Sequence, residues 1–426
     1  MESIKILFRI LMKLVLPSKL FDAAMYRVDK TKRVMTSSIT LKIFWKIVLA
    51  PIDLIVSLLV SVLKMPIIWL MPRSIPSMLS YSLRMFHSDI TSSKDRLPVK
   101  VALKRVKLFI ELSIKGRERK VSFGKKNPNK TFYVIRPYYF VEKNELTVRQ
   151  SNLFFHYYRN LQHLAYAVDK GWIPVVDWKN YGNFSHGEDF PVNGTTNCWE
   201  YFWNQPSEYS LDEVYDSKNV ILGLQNTRDI HLIPSCFFKT PLRKQALTYM
   251  QKCPAYDKYI TLNTPTASYV NKWYEILFPK SAKILGVSVR ATSYGTTRVP
   301  GHPKQPTFGE LLIAVDKSLI DWNMDYVFFA CESEDLVNSM FEKYGEKLIL
   351  LPRSRYTVYK GSGGEHNPLY QPGQRYQTNL DYLTEMYLLS RCNALVCGMS
   401  GGVRIAIIWN NCAYERIRVM DRGLWK

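Results

Sequence analysis

The sequence predicts an α/β protein: a basic, mostly helical N-terminal region followed by two domains of alternating strands and helices. Short Val/Ile-rich runs alternate with helical stretches through residues 131–426, the pattern of parallel, doubly wound sheets. The chain has 426 residues, 47% of them hydrophobic, which suffices for two or three domains with real cores. Its charge is divided unevenly: residues 1–130 carry 26 Lys and Arg against 8 Asp and Glu, whereas residues 131–426 carry 32 against 28. Most of the formal net charge of +22 therefore belongs to the first third. This composition excludes a disordered tail protein, a collagen-like fibre and a small disulfide scaffold. The expected divisions are 1–130, 131–280 and 281–426.

The basic region reads as a membrane-association segment. In residues 4–21, Lys5, Arg9 and Lys13 recur every four positions among Leu, Ile and Phe, so they share one face of an amphipathic helix suited to a headgroup plane. Residues 41–71 are strongly apolar, but Asp53 and Lys64 leave only Leu54–Leu63 uncharged between them. A spanning helix needs about 20 apolar residues, so this stretch is expected to lie in the interface or re-enter. A further basic run extends from Lys100 to Lys126, and each such charge near an anionic leaflet is worth ~1 kcal/mol. The expected partner is an anionic membrane surface, met peripherally or monotopically on its cytoplasmic face. No nucleic-acid-binding motif accompanies the charge, so nucleic acid is not an expected partner. No short apolar core precedes a small-residue cleavage site, so no secretory signal is expected. The seven cysteines form no C-x-x-C pair and read as buried free thiols of a reducing compartment.

The body can be read element by element. Thr131–Arg136 reads as a strand, residues 151–169 as a helix stopped by Gly171, and Trp172–Asp177 as a buried strand. A polar stretch with Gly182, Gly187 and Gly194 leads to Trp199–Trp203, and Lys218–Leu222 is another short strand. Beyond residue 281 the expected strands are Lys283–Arg290, Tyr326–Glu332, Lys347–Leu351, Ala394–Gly398 and Ile417–Asp421. The expected helices are 307–321, 333–344, 379–391 and one opening near Ser400.

Ligands of open parallel sheets bind beyond the carboxyl ends of the strands. Arg290 and Glu332 follow the first two strands of the last domain, and Gly398-Met-Ser-Gly-Gly402 follows the fourth and opens a helix. Glycines and a Ser hydroxyl at a helix N-terminus make an anion site, to which Arg290 and Arg404 add planar cations. The set fits a nucleotide diphosphate. No dinucleotide-binding or Walker glycine pattern is present. The polar loop 352–378 carries Arg353, Arg355, Tyr356 and Tyr359, which are expected to act as a lid over diphosphate or sugar. Glu332-Ser-Glu334 has no further convergent ligand, so no metal site is expected.

These motifs resemble the α1,6-fucosyltransferase and NodZ-like glycosyltransferases, bacterial branch, over about residues 131–426. Val287-Ser-Val-Arg290 with Thr292 is similar to H-V-R-x-T-D, and His302-Pro303 falls where the family has its His-Pro. Phe329–Glu334 is similar to the A-T-D-D strand end, and Leu388–Ser400 to L-S-x-x-D-x-L-V-x-x-x-S-S. Trp172–Asn180 and Trp199–Phe202 resemble two further blocks of bacterial relatives. Three positions depart: the motif's Asp is Ser293, its His is Ser288, and the second Ser of S-S is Gly401. The resemblance implies a GT-B-like pair of Rossmann-like domains and metal-independent, inverting transfer from GDP-fucose, with no cofactor besides the nucleotide-sugar donor. It implies that Arg290 stabilises the departing β-phosphate, that Ser400 hydrogen-bonds the diphosphate and that Glu332 faces the nucleotide; with Ser288, His302, Gly398, Gly401, Gly402 and Arg404 these are the expected donor-site residues. The implied setting is bacterial polysaccharide or glycolipid synthesis on a lipid-linked or polysaccharide acceptor. A catalytically silent nucleotide-sugar-binding scaffold is the alternative.

Overall fold

The computed structural model describes residues 116–425 apart from 138, 143–144, 149–151, 181–186, 224–255, 291–301 and 356–372, together with residues 107, 108, 111, 114 and 244. The expected membrane helix 4–21 and the apolar stretch 41–71 lie outside the described residues. Among the described residues, no helix is long and apolar enough to cross a membrane.

Strands β1 (Arg119–Val121) and β2 (Phe132–Ile135) come first. Strands β3 (Tyr139–Glu142) and β4 (Glu145–Val148) form an antiparallel hairpin that belongs to a separate compact unit. Helix α1 (Leu153–Asp169), strand β5 (Ile173–Val176), the short helix α2 (Leu211–Val214) and strand β6 (Val220–Leu222) follow. The first sheet has the order β1-β6-β2-β5, with β2 parallel to both β5 and β6. Every residue of β2 is buried, as a strand covered on both faces requires.

Helices α3 (Tyr256–Tyr259) and α4 (Thr264–Leu277) lead into the second sheet. Its elements are β7 (Ile284–Ser288), α5 (Phe308–Asp321), β8 (Tyr326–Ala330), α6 (Glu334–Tyr344), β9 (Leu348–Ile349), α7 (Arg375–Ser390), β10 (Ala394–Cys397), α8 (Gly401–Trp409) and β11 (Arg416–Val419). The order is β11-β10-β7-β8-β9 and all four pairings are parallel. Each sequence-expected strand and helix of this part appears, with boundaries moved by a few residues. Caps set several helix starts: Asn152 accepts from Phe155 N–H, Asn263 from Thr266 N–H, and Thr307 forms a reciprocal capping box with Glu310.

Both sheets lie in one compact unit, and α1 joins them. Thirteen of its seventeen residues are buried, because it packs on β2 and β5 and also on α8. The α8 contact is aromatic. Trp409 Nε1 donates to Tyr157 Oη at 3.1 Å, and the Trp409 ring lies edge-on to Phe154 and Tyr157. Tyr157 continues into Trp203, Trp199 and Trp178. Aromatic pairs of this kind add ~0.5–1.5 kcal/mol each beyond area burial.

Glu188, from the polar stretch after β5, caps α7 across the chain. Its carboxylate accepts from Gly373 N–H at 2.6 Å and Tyr376 N–H at 2.7 Å, while Arg375 donates to the Gly187 carbonyl at 2.9 Å. A carboxylate at a helix N-terminus satisfies orphan donors and complements the dipole. Glu188→Ala is expected to lower stability by ~1 kcal/mol, and Glu188→Gln by less. Urea melts of the three proteins check this; unchanged midpoints would remove Glu188 as a cap.

Candidate functional site

The second sheet reverses its direction of growth between β7 and β10. From β7 the chain moves outward to β8 and β9, then returns to place β10 and β11 on the other side. The crevice of such a sheet opens at the carboxyl ends of the two strands flanking the reversal. Here they end side by side: Ser288 pairs with Cys397, and Gly398 N–H donates to the Ser288 carbonyl at 3.0 Å. Ser288 is buried at this junction.

The loop Gly398–Ser400 runs from β10 directly into α8. Ser400 is the N-cap, its Oγ accepting from Val403 N–H at 3.2 Å. That bond uses a lone pair and leaves the hydroxyl proton able to donate to an anion. Gly401 is half-buried, and a Cβ there would meet nothing nearer than 3.8 Å. The Ser that the resemblance places there would therefore fit. Gly402 has a different role: a Cβ would come within 2.5 Å of Tyr382 Oη and 2.8 Å of Met386 Sδ, so it lets α8 approach α7.

Arg404 is only 2% exposed and approaches the loop from behind. Its guanidinium lies 4.1 Å from the centre of the Tyr158 ring, and Nη2 is 3.8 Å from where a Gly401 Cβ would be. It supplies positive charge beneath the α8 N-terminus rather than reaching into the crevice from solvent. Burial raises the Tyr158 phenol well above its usual range, against the lowering influence of Arg404. Asn152, not singled out from sequence, lies 3.9 Å from the same Cβ position. The N-termini of α1 and α8 thus meet beside the loop, and both present positive dipole ends.

Gln305 is the second residue that sequence reasoning missed. Its Oε1 accepts from Arg290 N–H at 3.4 Å and its Nε2 donates to the Met399 carbonyl at 2.8 Å. The expected Arg290 and the expected Gly398–Ser400 loop are therefore brought within one side chain's span. The available sequence signal is Pro303-Lys304-Gln305-Pro306, whose prolines hold an extended approach to α5. His302 lies just before it, its carbonyl accepting from Trp425 N–H at 3.0 Å, while Lys304 N–H donates to the Gly423 carbonyl at 2.9 Å. Thr292 and Ser293 lie outside the described residues.

The β8–β9 side of the same edge is a buried charge cluster. Glu385 of α7, 2% exposed, faces Arg353 Nη1 at 3.2 Å and Arg355 Nη2 at 3.7 Å. Arg355 also donates to the Cys331 and Leu351 carbonyls at 3.2 and 2.9 Å. The guanidiniums of Arg353 and Arg355, which the sequence suggests for a lid, turn inward here, because a buried carboxylate and strand-end carbonyls compete for them. Tyr356 and Tyr359 lie outside the described residues. Glu332 sits at the end of β8, half-buried, and its charge bears on Glu385. Among the described residues, no group of three or more His, Cys, Asp or Glu is arranged to hold a metal ion. The five described cysteines, Cys198, Cys331, Cys392, Cys397 and Cys412, are free and buried.

Burial pushes the Glu385 carboxyl up to about 7, with Arg353 and Arg355 opposing the rise and Glu332 and Asp381 adding to it. The folded carboxyl thus holds its proton more tightly than the unfolded one. Its stabilising contribution is complete below the ordinary carboxyl value of 4.5 and is lost as pH rises through about 7. Between pH 4.5 and 8 the wild type is expected to lose up to ~3 kcal/mol relative to Glu385→Gln. Denaturant melts of both proteins across that range check it; a pH-independent difference would show that Glu385 titrates normally.

No protein-family signature and no curated protein matches the chain by sequence. Solved structures to which the chain shows a distant likeness include the fucosyltransferase NodZ from Bradyrhizobium, 15% identical over 70% of this chain and 98% of that one, with a TM-score of 0.39. POFUT1 in complex with GDP-fucose is 11% identical over 70% of this chain and 99% of that one, with a TM-score of 0.36. A FUT1 variant of Arabidopsis thaliana in complex with GDP is 13% identical over 77% and 79%, with a TM-score of 0.38.

Proposed function

We propose that this chain is a glycosyltransferase that takes its sugar from a nucleotide diphosphate donor, with GDP-fucose the favoured candidate. The observation that carries this reading is the glycine loop at the start of α8, set at the strand-order reversal with Arg404 beneath it and Arg290 tied to it through Gln305. Main-chain N–H groups, two helix dipoles and a buried cation favour a dianionic group there.

In the proposed reaction an acceptor hydroxyl attacks C1 of the sugar as the C1–O bond to the β-phosphate breaks, with inversion. The acceptor's proton goes to a base, and the nucleoside diphosphate leaves with the added negative charge. Arg290 meets that growing charge, Ser400 donates its hydroxyl proton to the diphosphate, and Glu332 accepts from the nucleoside. The site needs no metal in this scheme. The proposed acceptor is a lipid-linked glycan or cell-surface polysaccharide, and the basic N-terminal region holds the enzyme on the anionic cytoplasmic face of a bacterial membrane. Ser293, where the resembled motif has Asp, favours one second reading, a donor-binding scaffold without turnover.

Arg290→Lys keeps the charge and loses the planar fork, so kcat is expected to fall ~10²–10³-fold with donor KM little changed. Ser400→Ala is expected to raise donor KM instead, and to cost ~1 kcal/mol of stability through loss of the α8 cap. Thermal shift with GDP, UDP, CMP, TDP and their sugars, followed by turnover assays, tests the reading. A wild type that binds GDP-fucose without turning it over supports the scaffold, and one stabilised by no nucleotide sinks both. Deleting residues 1–72 is expected to move the protein from membrane to soluble fractions with nucleotide binding intact; retention with membranes would overturn the anchoring role.

A further inference from the structure

We infer that Gln305 is the positioning residue of the donor site, setting the spacing between the Arg290 main chain and the Gly398–Ser400 loop and thereby governing affinity for the diphosphate. The inference rests on the donor-site reading above and adds a residue that the motif resemblance does not include.

The primary amide suits the position because it is two-sided. Oε1 accepts from a main-chain N–H of the segment leaving β7, and Nε2 donates to a main-chain carbonyl of the segment leaving β10. A flipped amide would set its NH₂ against the Arg290 N–H and its oxygen against the Met399 carbonyl, both repulsive, so the orientation is determined. No other uncharged side chain of this length carries a donor and an acceptor on one planar group. Gly398 supports the same reading. A Cβ there would overlap Gln305 Oε1 and come within 3.2 Å of the Pro306 ring, so the amide occupies the space that the glycine leaves.

The amide is itself held from behind. Pro303 and Leu424 form an antiparallel bridge, flanked by the hydrogen bonds of His302 to Trp425 and Lys304 to Gly423. The chain then enters α5 through its Thr307–Glu310 capping box. Gln305 therefore projects from an anchored segment onto two others, and the carbonyl it holds belongs to the residue just before the Ser400 N-cap. Rotating that peptide would redirect the N–H groups meant for the anion. An anion cradle is effective when its donors are fixed before the ligand arrives, and such donors depend on the groups that brace them.

The test compares wild type with Gln305→Met, which keeps length and loses both hydrogen bonds, and Gln305→Glu, which keeps the acceptor but loses the donor and adds negative charge. Calorimetric titration with GDP, UDP, guanosine and uridine separates diphosphate from nucleoside recognition, and circular dichroism melts report folding. Gln305→Met is expected to weaken the diphosphates roughly tenfold while leaving the nucleosides unchanged. Gln305→Glu should weaken the diphosphates further. Gly398→Ala displaces the amide without altering it, so it should give the same diphosphate-selective loss if Gln305→Met does not fold. Unchanged GDP and UDP affinity in the folded variants, or equal weakening of diphosphate and nucleoside, overturns the inference. A wild type that binds neither diphosphate more tightly than its nucleoside overturns the donor-site reading instead, and does so before any variant is measured.

Discussion

Because Ser288 and Cys397 sit side by side in neighbouring parallel strands, two distant chain segments leave the second sheet at the same level and in the same direction. Residues 289–306 follow one strand, and the loop into α8 follows the other. Nothing in the sheet then separates them, since the strand order reverses at this pair. Gln305 fills the gap, Gly398 makes room for it, and Ser400 starts the helix whose dipole faces outward. Moving β10 by one position along β7 would replace this arrangement, because the loop would start at a different height.

The carboxyl edge of the second sheet has two unlike sides. On the β7–β10 side the chemistry is that of main-chain donors and a cation, with Arg404 held out of water against Tyr158. On the β8–β9 side, Arg353 and Arg355 are consumed by Glu385 and by carbonyls at the strand ends. Taking three charges out of water is costly, and the rise of the Glu385 carboxyl to about 7 registers that cost. The cluster fixes where the segment after β9 departs, and so shapes the approach to Glu332.

Much of this was legible in the sequence because the strands of parallel sheets are covered on both faces. Ile284–Ser288 and Ala394–Cys397 are wholly buried, and each read as an apolar run bounded by turn residues. Helix α4 was not legible: it buries only Thr266 and Val270 and meets α7 through polar contacts, Tyr269 with Asp381 and Tyr387 with Asn271. Strand β1 is equally silent, being three polar or half-exposed residues at a sheet edge. Arg290, Gly398 and Ser400 stand out in the sequence because they follow strand ends, where open parallel sheets bind ligands. Gln305 and Asn152 do not, since Met399 and Gly401, beside which they lie, are about a hundred or more positions away. The partners of Arg353 and Arg355 are hidden for the converse reason. A basic polar loop reads as solvated, and the carboxylate that claims them lies thirty residues on, in a helix whose face was not evident from its own sequence.

The joint between the sheets has an architectural consequence. In many two-sheet proteins each half is a module that can be excised, exchanged or grafted. Here the ring of Trp409, from the helix that opens at the glycine loop, is edge-on to Phe154 and hydrogen-bonded to Tyr157, and those residues lead on to Trp203 and Trp199. A cut between β6 and β7 would strand these rings in water on both fragments and remove the wall against which Arg404 is stacked. The two sheets thus share one aromatic joint, and a chimera that borrowed only the second sheet would need to bring α1 with it.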